Sequence, residues 1–124
     1  MSVYVIGDLH LSLGCDKPMD IFRGWDNYVE RLTENWNRLV SDEDTVVVPG
    51  DISWAMSLSE TQKDFEYLNN VLNGEKIILK GNHDYWWSTA AKFRKFCEEN
   101  GFENLNLLNN NCYEYEGVAI CGTR

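Results

Sequence analysis

Thr45-Val46-Val47-Val48-Pro49-Gly50-Asp51 decides the fold: an unbroken β-branched run meets a proline and a glycine and then delivers a carboxylate. Branched side chains suit the pleated surface of a strand, and Pro-Gly ends it. The same grammar occurs on either side. Val3-Tyr4-Val5-Ile6 runs into Gly7-Asp8, and Lys76-Ile77-Ile78-Leu79-Lys80 runs into Gly81-Asn82. The intervening stretches are long enough for crossover helices, so an α/β chain with a mainly parallel sheet is expected.

Between the first two runs, Trp25, Tyr28, Val29, Leu32, Trp36, Leu39 and Val40 recur at steps of three and four, one apolar face of a helix. Glu30, Arg31, Glu34 and Arg38 lie largely off that face. A second helix is predicted from Ser59, where Ser59 and Gln62 form a capping-box pattern and Phe65, Leu68 and Leu72 give the buried stripe. Gly74 is placed to end it. A third is predicted over residues 88–99, with Ala90, Phe93 and Cys97 inward and Asn100-Gly101 as its stop. Beyond it, residues 105–108, 112–115 and 118–121 read as short strands, the last two joined by a tight Glu116-Gly117 turn.

The chain has 124 residues, 44% of them hydrophobic, enough for one core and not two. A single domain over residues 1–124 follows. Eleven Lys and Arg against twenty Asp and Glu leave a formal charge of −9, which repels phosphate backbones and argues against a groove for long nucleic acid. No apolar run is long enough to span a bilayer, and the first residues carry neither a basic leader nor a small-residue cleavage site. No membrane partner is therefore expected, and the expected location is cytoplasmic. Cys15, Cys97, Cys112 and Cys121 show no close CxxC spacing, so reduced, mostly buried thiols are expected.

The chemistry gathers where the strands end. Gly7-Asp8, Gly50-Asp51 and Gly81-Asn82 each place an oxygen-bearing side chain directly after a glycine. In an open parallel sheet those ends share one edge, with neighbouring strands about 4.8 Å apart, so the three oxygens converge. The two histidines of the chain, His10 and His83, stand beside them. Carboxylate and imidazole together suit Mn, Fe, Zn, Ni or Co better than Ca, and two such ions roughly 3.5–4 Å apart can share ligands from adjacent strand ends. Asp51, on the middle motif, has two oxygens to share and is the natural bridge. Trp54, Tyr85, Trp86 and Trp87 either wall a pocket or anchor loops, and packing is the commoner fate of loop tryptophans.

Asp8-x-His10, Gly50-Asp51 and Gly81-Asn82-His83-Asp84, in that order and spacing, resemble the calcineurin-like metallophosphoesterase family. Gly50 to Trp54 and Gly81 to Trp87 look like a bacterial branch whose members have no assigned substrate. The resemblance implies that Asp8 and His10 hold the first metal and that Asp51 bridges two ions. It further implies that Asn82 binds the second metal and the substrate phosphate. His83 would stabilise the transition state and protonate the leaving oxygen, with Asp84 orienting His83. The implied reaction is hydrolysis of a phosphoester by a metal-bridging hydroxide in a dinuclear centre.

The family pattern continues with an isolated histidine and a Gly-His-x-His block, neither of which occurs here. The expectation is therefore the N-terminal half of a longer enzyme, about half of the family's four-layer α/β/β/α sandwich. An uncovered sheet then invites self-association. The rival reading is a truncated, non-catalytic module that binds a metal or a partner without turning over any ester.

Overall fold

Each Gly-terminated run forms a strand of one sheet. The computed structural model describes residues 1–123. Val3–Val5 (β1), Thr45–Val48 (β2), Glu75–Ile78 (β3) and Leu105–Leu107 (β4) pair in parallel in the order β1-β2-β3-β4. The crossovers contain Tyr28–Leu39 (α1), Gln62–Glu66 (α2, prolonged by a π-helical turn over Tyr67–Val71) and Ala90–Asn100 (α3). Crossovers between parallel strands are nearly always of one hand, so strands laid down consecutively put their helices on one face, and one cluster holds residues of all three.

Strand alternation divides the core in two. Val46, Val48, Ile78, Leu105 and Leu107 meet Trp36, Phe65, Leu68 and Phe93 on the helical face. Val47 and Ile77 belong to the opposite face, where Leu108, Tyr113 and Ile120 cover them. Tyr113 and Ile120 come from an antiparallel hairpin, Asn111–Tyr115 (β5) and Val118–Gly122 (β6). Glu116 and Gly117 both take positive φ, 47° and 83°, the conformation that a two-residue hairpin turn requires. Among the described residues, no helix is long and apolar enough to cross a membrane.

Three expectations need correction. Cys112 and Cys121 are exposed and form a disulfide, because the turn sets them directly opposite each other with Cα atoms 4.2 Å apart. Cys97 is buried as expected and Cys15 half-buried. The capping box does not form at Ser59. Ser57 Oγ accepts the Glu60 N–H at 3.4 Å while the Glu60 carboxylate accepts the Met56 N–H at 3.1 Å, so the side-chain caps that do form lie upstream of Ser59 and are not reciprocal. Leu39, expected inward on α1, is 56% exposed, because it closes the helix beside the sheet's edge strand.

Candidate metal centre

The polypeptide turns a corner after β1 and after β2 through the left-handed region. Asp8, His10 and Asp51 have φ of 59°, 46° and 50°. Residues with a Cβ adopt that conformation at a cost, and it persists only where surrounding contacts enforce it. Those contacts run between the two loops: the N–H of Asp8 donates to Gly50 O (3.2 Å), that of His10 to Asp51 O (2.9 Å), and that of Leu11 to Ile52 O (2.8 Å). The parallel pairing of β1 with β2 thus continues loosely past the strand ends and sets their functional side chains abreast.

Two glycines make the third loop fit against the second. A Cβ on Gly50 would stand 2.6 Å from Gly81 Cα, and one on Gly81 would stand 2.2 Å from Asp51 Oδ1. No side chain is tolerated at either position without moving the Asp51 carboxylate or its loop.

The result is a cluster in which Asp8, His10 and Asp51 each offer a ligand atom, all within 4.8 Å of one another. Asp51 is buried, His10 half-buried and Asp8 exposed, so the cluster opens to solvent on one side. Two carboxylates and an imidazole at this spacing fit a divalent transition metal by donor type. His83 joins them from the third loop. Its backbone N–H donates to Asp51 Oδ1 at 2.9 Å, and its Nδ1 lies 2.8 Å from Asp51 Oδ2, an oxygen also 3.9 Å from His10 Nε2. Burial pushes the Asp51 pKa up, but the hydrogen bonds from His83 and the charges of His83 and His10 outweigh it and hold the group below the ordinary carboxylate value. Asn82 sits exposed in the same turn.

Asp84 reaches His83 only through the turn they share. Its Oδ1 accepts the N–H of Ile52 (2.8 Å), the N–H of Ser53 (3.2 Å) and the Trp86 indole (3.0 Å), and its Oδ2 accepts the N–H of Gly81 (2.7 Å). Among the described residues the His83 ring bonds Asp51, and no hydrogen bond joins it to Asp84. Asp84 instead staples the third loop to the second.

Trp86 is buried among core aromatics, as expected of a loop anchor. Trp54 is not such an anchor. Its indole stacks on His10 with ring centres 4.7 Å apart and an interplanar angle of 19°, and it tilts over His83 at 5.3 Å. Trp25 meets His10 edge-on, and the exposed Tyr85 meets His83 the same way. Tyr28 donates its hydroxyl to the His10 carbonyl at 2.7 Å, and burial followed by the Asp64 charge pushes its pKa up to about 12, so it stays a neutral donor. A groove of about 430 Å³ lined by Asp8, Trp25, Tyr28, Arg31 and Asn35 opens beside the cluster.

Sequence reasoning missed Asp64, Tyr28 as a support for His10, and Trp54 as a cover for it. One signal was present for Asp64. It falls in phase with Thr61, Phe65 and Leu68, so an acid stands inside an apolar stripe.

A parallel sheet whose carboxyl edge gathers carboxylates and imidazoles defines an α/β protein with a candidate metal centre at the strand ends. The calcineurin-like phosphoesterase family model matches residues 1–123, and the chain belongs to that family. It is 32% identical over 112 residues to the uncharacterized protein MJ1445 of Methanocaldococcus jannaschii, which covers 86% of this chain and 58% of that protein. It also resembles the crystal structure of the protein of unknown function AQ665 from Aquifex aeolicus, with a TM-score of 0.54 at 19% identity. That match covers 96% of this chain and 58% of the other, and it carries the fold alone. The chain therefore spans little more than half the length of either relative.

Proposed function

We propose that this chain carries the first half of a dinuclear metal centre that hydrolyses phosphoesters. The observation behind the reading is the meeting of Asp8, His10 and Asp51 within 4.8 Å, three left-handed residues on two corners, in a chain of the phosphoesterase family. Asp8 and His10 would hold one ion, Asp51 would lie between two, and Asn82 would face the second ion and the phosphate. Mn, Fe, Zn, Ni and Co all suit these donors. When bound, the ions would supply Lewis acidity and a nucleophile at neutral pH. His83, held through Nδ1 by Asp51, would give a proton to the leaving oxygen, a role supported by the contacts of its ring with Trp54 and Tyr85. The groove beside Asp8 offers room for the organic part of the ester.

The missing ligands of the second ion are proposed to come from polypeptide beyond this chain, in keeping with its 58% coverage of both relatives. The proposed location is the cytoplasm.

Hydrolysis of 4-nitrophenyl phosphate and bis(4-nitrophenyl) phosphate with added Mn, by protein that includes the polypeptide supplying the second ion's ligands, tests the reading. His83→Ala is expected to lose about 10²–10⁴-fold in rate, the usual contribution of a positioned general acid. Asp51→Asn is expected to cost more than Asp84→Asn, because it removes charge from both ions while the other loosens a loop. Equal residual rates in wild type, Asp51→Asn and His83→Ala would leave a non-catalytic metal-binding module.

A further inference from the structure

Beneath the candidate metal centre a second set of polar contacts joins the loops that carry it. Asp64, on α2, is fully buried. Among the described residues no Lys or Arg pairs with it, so its oxygens depend on hydrogen bonds to offset the cost of leaving water. Its Oδ1 accepts the Leu13 N–H at 2.8 Å, from the loop after β1. Its Oδ2 accepts the Ser53 hydroxyl at 2.5 Å, from the loop after β2. Ser53 Oγ in turn accepts the Ala55 N–H at 3.1 Å, and the Ser53 N–H donates to Asp84, which grips the third loop through Gly81. Asp64 sits in a stripe that an apolar side chain would fill at less cost, but such a side chain would leave the Leu13 N–H and the Ser53 hydroxyl unpaired.

We infer that Asp64 is a positioning residue of the metal centre: one oxygen fixes the loop of Asp8 and His10, the other fixes the loop of Asp51, and their spacing sets the grip on the ion. The inference rests on reading that cluster as a metal site. Asp64 itself touches none of the proposed ligands, so its effect travels through Leu13 and Ser53. Its reach is then visible in two ways, as metal affinity and as the protection of the loop amides.

Mn titration by calorimetry and amide hydrogen exchange on the 124-residue chain test it with Asp64→Ala, Asp64→Asn, Ser53→Ala and Leu105→Ala. Asp64→Ala is expected to weaken Mn binding 10–100-fold, as loss of a group supporting metal ligands does, and to speed exchange at Leu13 and Ala55. Asp64→Asn, whose amide oxygen still accepts the Leu13 N–H, should remain within about threefold of wild type. Ser53→Ala cuts the other end and supplies the answer if Asp64→Ala does not fold; it should weaken Mn binding and expose the Ala55 amide. Leu105→Ala, on β4 at the far edge of the sheet, should lower the melting temperature and leave Mn affinity unchanged. Wild-type affinity in Asp64→Ala, or an equal loss in Leu105→Ala, would overturn the inference. If wild type takes up no Mn, the metal reading fails, while exchange at Leu13 and Ala55 still decides whether Asp64 holds the loops.

Discussion

Gly81 has no side chain because Asp51 already occupies the place where one would begin. The gap between a Cβ there and Asp51 Oδ1 would be 2.2 Å, and the Asp51 backbone nitrogen would lie at 2.3 Å. One methyl group therefore acts on the candidate metal centre directly. Gly81→Ala is expected to weaken Mn binding by about tenfold or more, since it displaces the proposed ligand carboxylate of Asp51, otherwise held by His83. Calorimetric titration checks it; unchanged affinity would mean that Asp51 has room to move. The glycines and the acids were legible in the sequence as a repeated Gly-Asp or Gly-Asn pair. Their contact was not, because it depends on backbone atoms of two loops about thirty residues apart approaching within van der Waals distance. The left-handed φ of Asp8 and His10 was equally invisible, since neither residue type demands it.

Elements with a clean period were read correctly. α1 and α3 form where spacing puts them, and α3 is closed by Gly101 in the left-handed conformation as its end signal requires, while Leu39 leaves the α1 stripe and the Thr89 cap shows only in the structure. β3 carries a feature that its sequence reading left aside. Lys76 is fully buried on it, donates to the Leu72 carbonyl, and has its pKa pushed down to about 8 by burial, against 10.5 in the unfolded chain. Below pH 8 both states carry the proton, and the fold bears the full cost of burying the charge. As pH rises from about 8 to 10.5, the folded state sheds its proton first and the cost disappears. Lys76→Met is therefore expected to stabilise the protein by about 1–2 kcal/mol at pH 7, after the lost bond to Leu72 is allowed for, and to lose that advantage above pH 10. Denaturant melts at pH 7 and pH 10.5 check the sign. A stabilisation that grows with pH would show that the burial of Lys76 is not what limits it.

At the scale of the molecule, one side of the sheet stands open. β1 has a strand partner on one edge only, and Val3, Val5, Ile6 and Leu39 are exposed along it, Val5 by 68%. An apolar groove lined by Tyr4, Val5, Ile6, Leu32, Trp36 and Leu39 runs beside that edge. Unpaired strand groups next to exposed apolar surface template association, so a second copy of the 124-residue chain is expected to pair there at high concentration. Size-exclusion chromatography with light scattering checks it, and a clean monomer across the concentration range would refute it. By itself the sequence determined the parallel sheet, the crossover helices, the strand-end donors and the family, because periodicity, turn chemistry and motif order are properties of neighbouring residues. Only the tertiary structure decided that His83 leans on Asp51 and not on Asp84, that Trp54 covers His10, that Asp64 ties two loops together, and that Cys112 meets Cys121. The first three are contacts between segments distant along the chain, fixed by how strands register and loops pack and set only once the core has closed, whereas the cysteine pair is local and follows from the register of one hairpin.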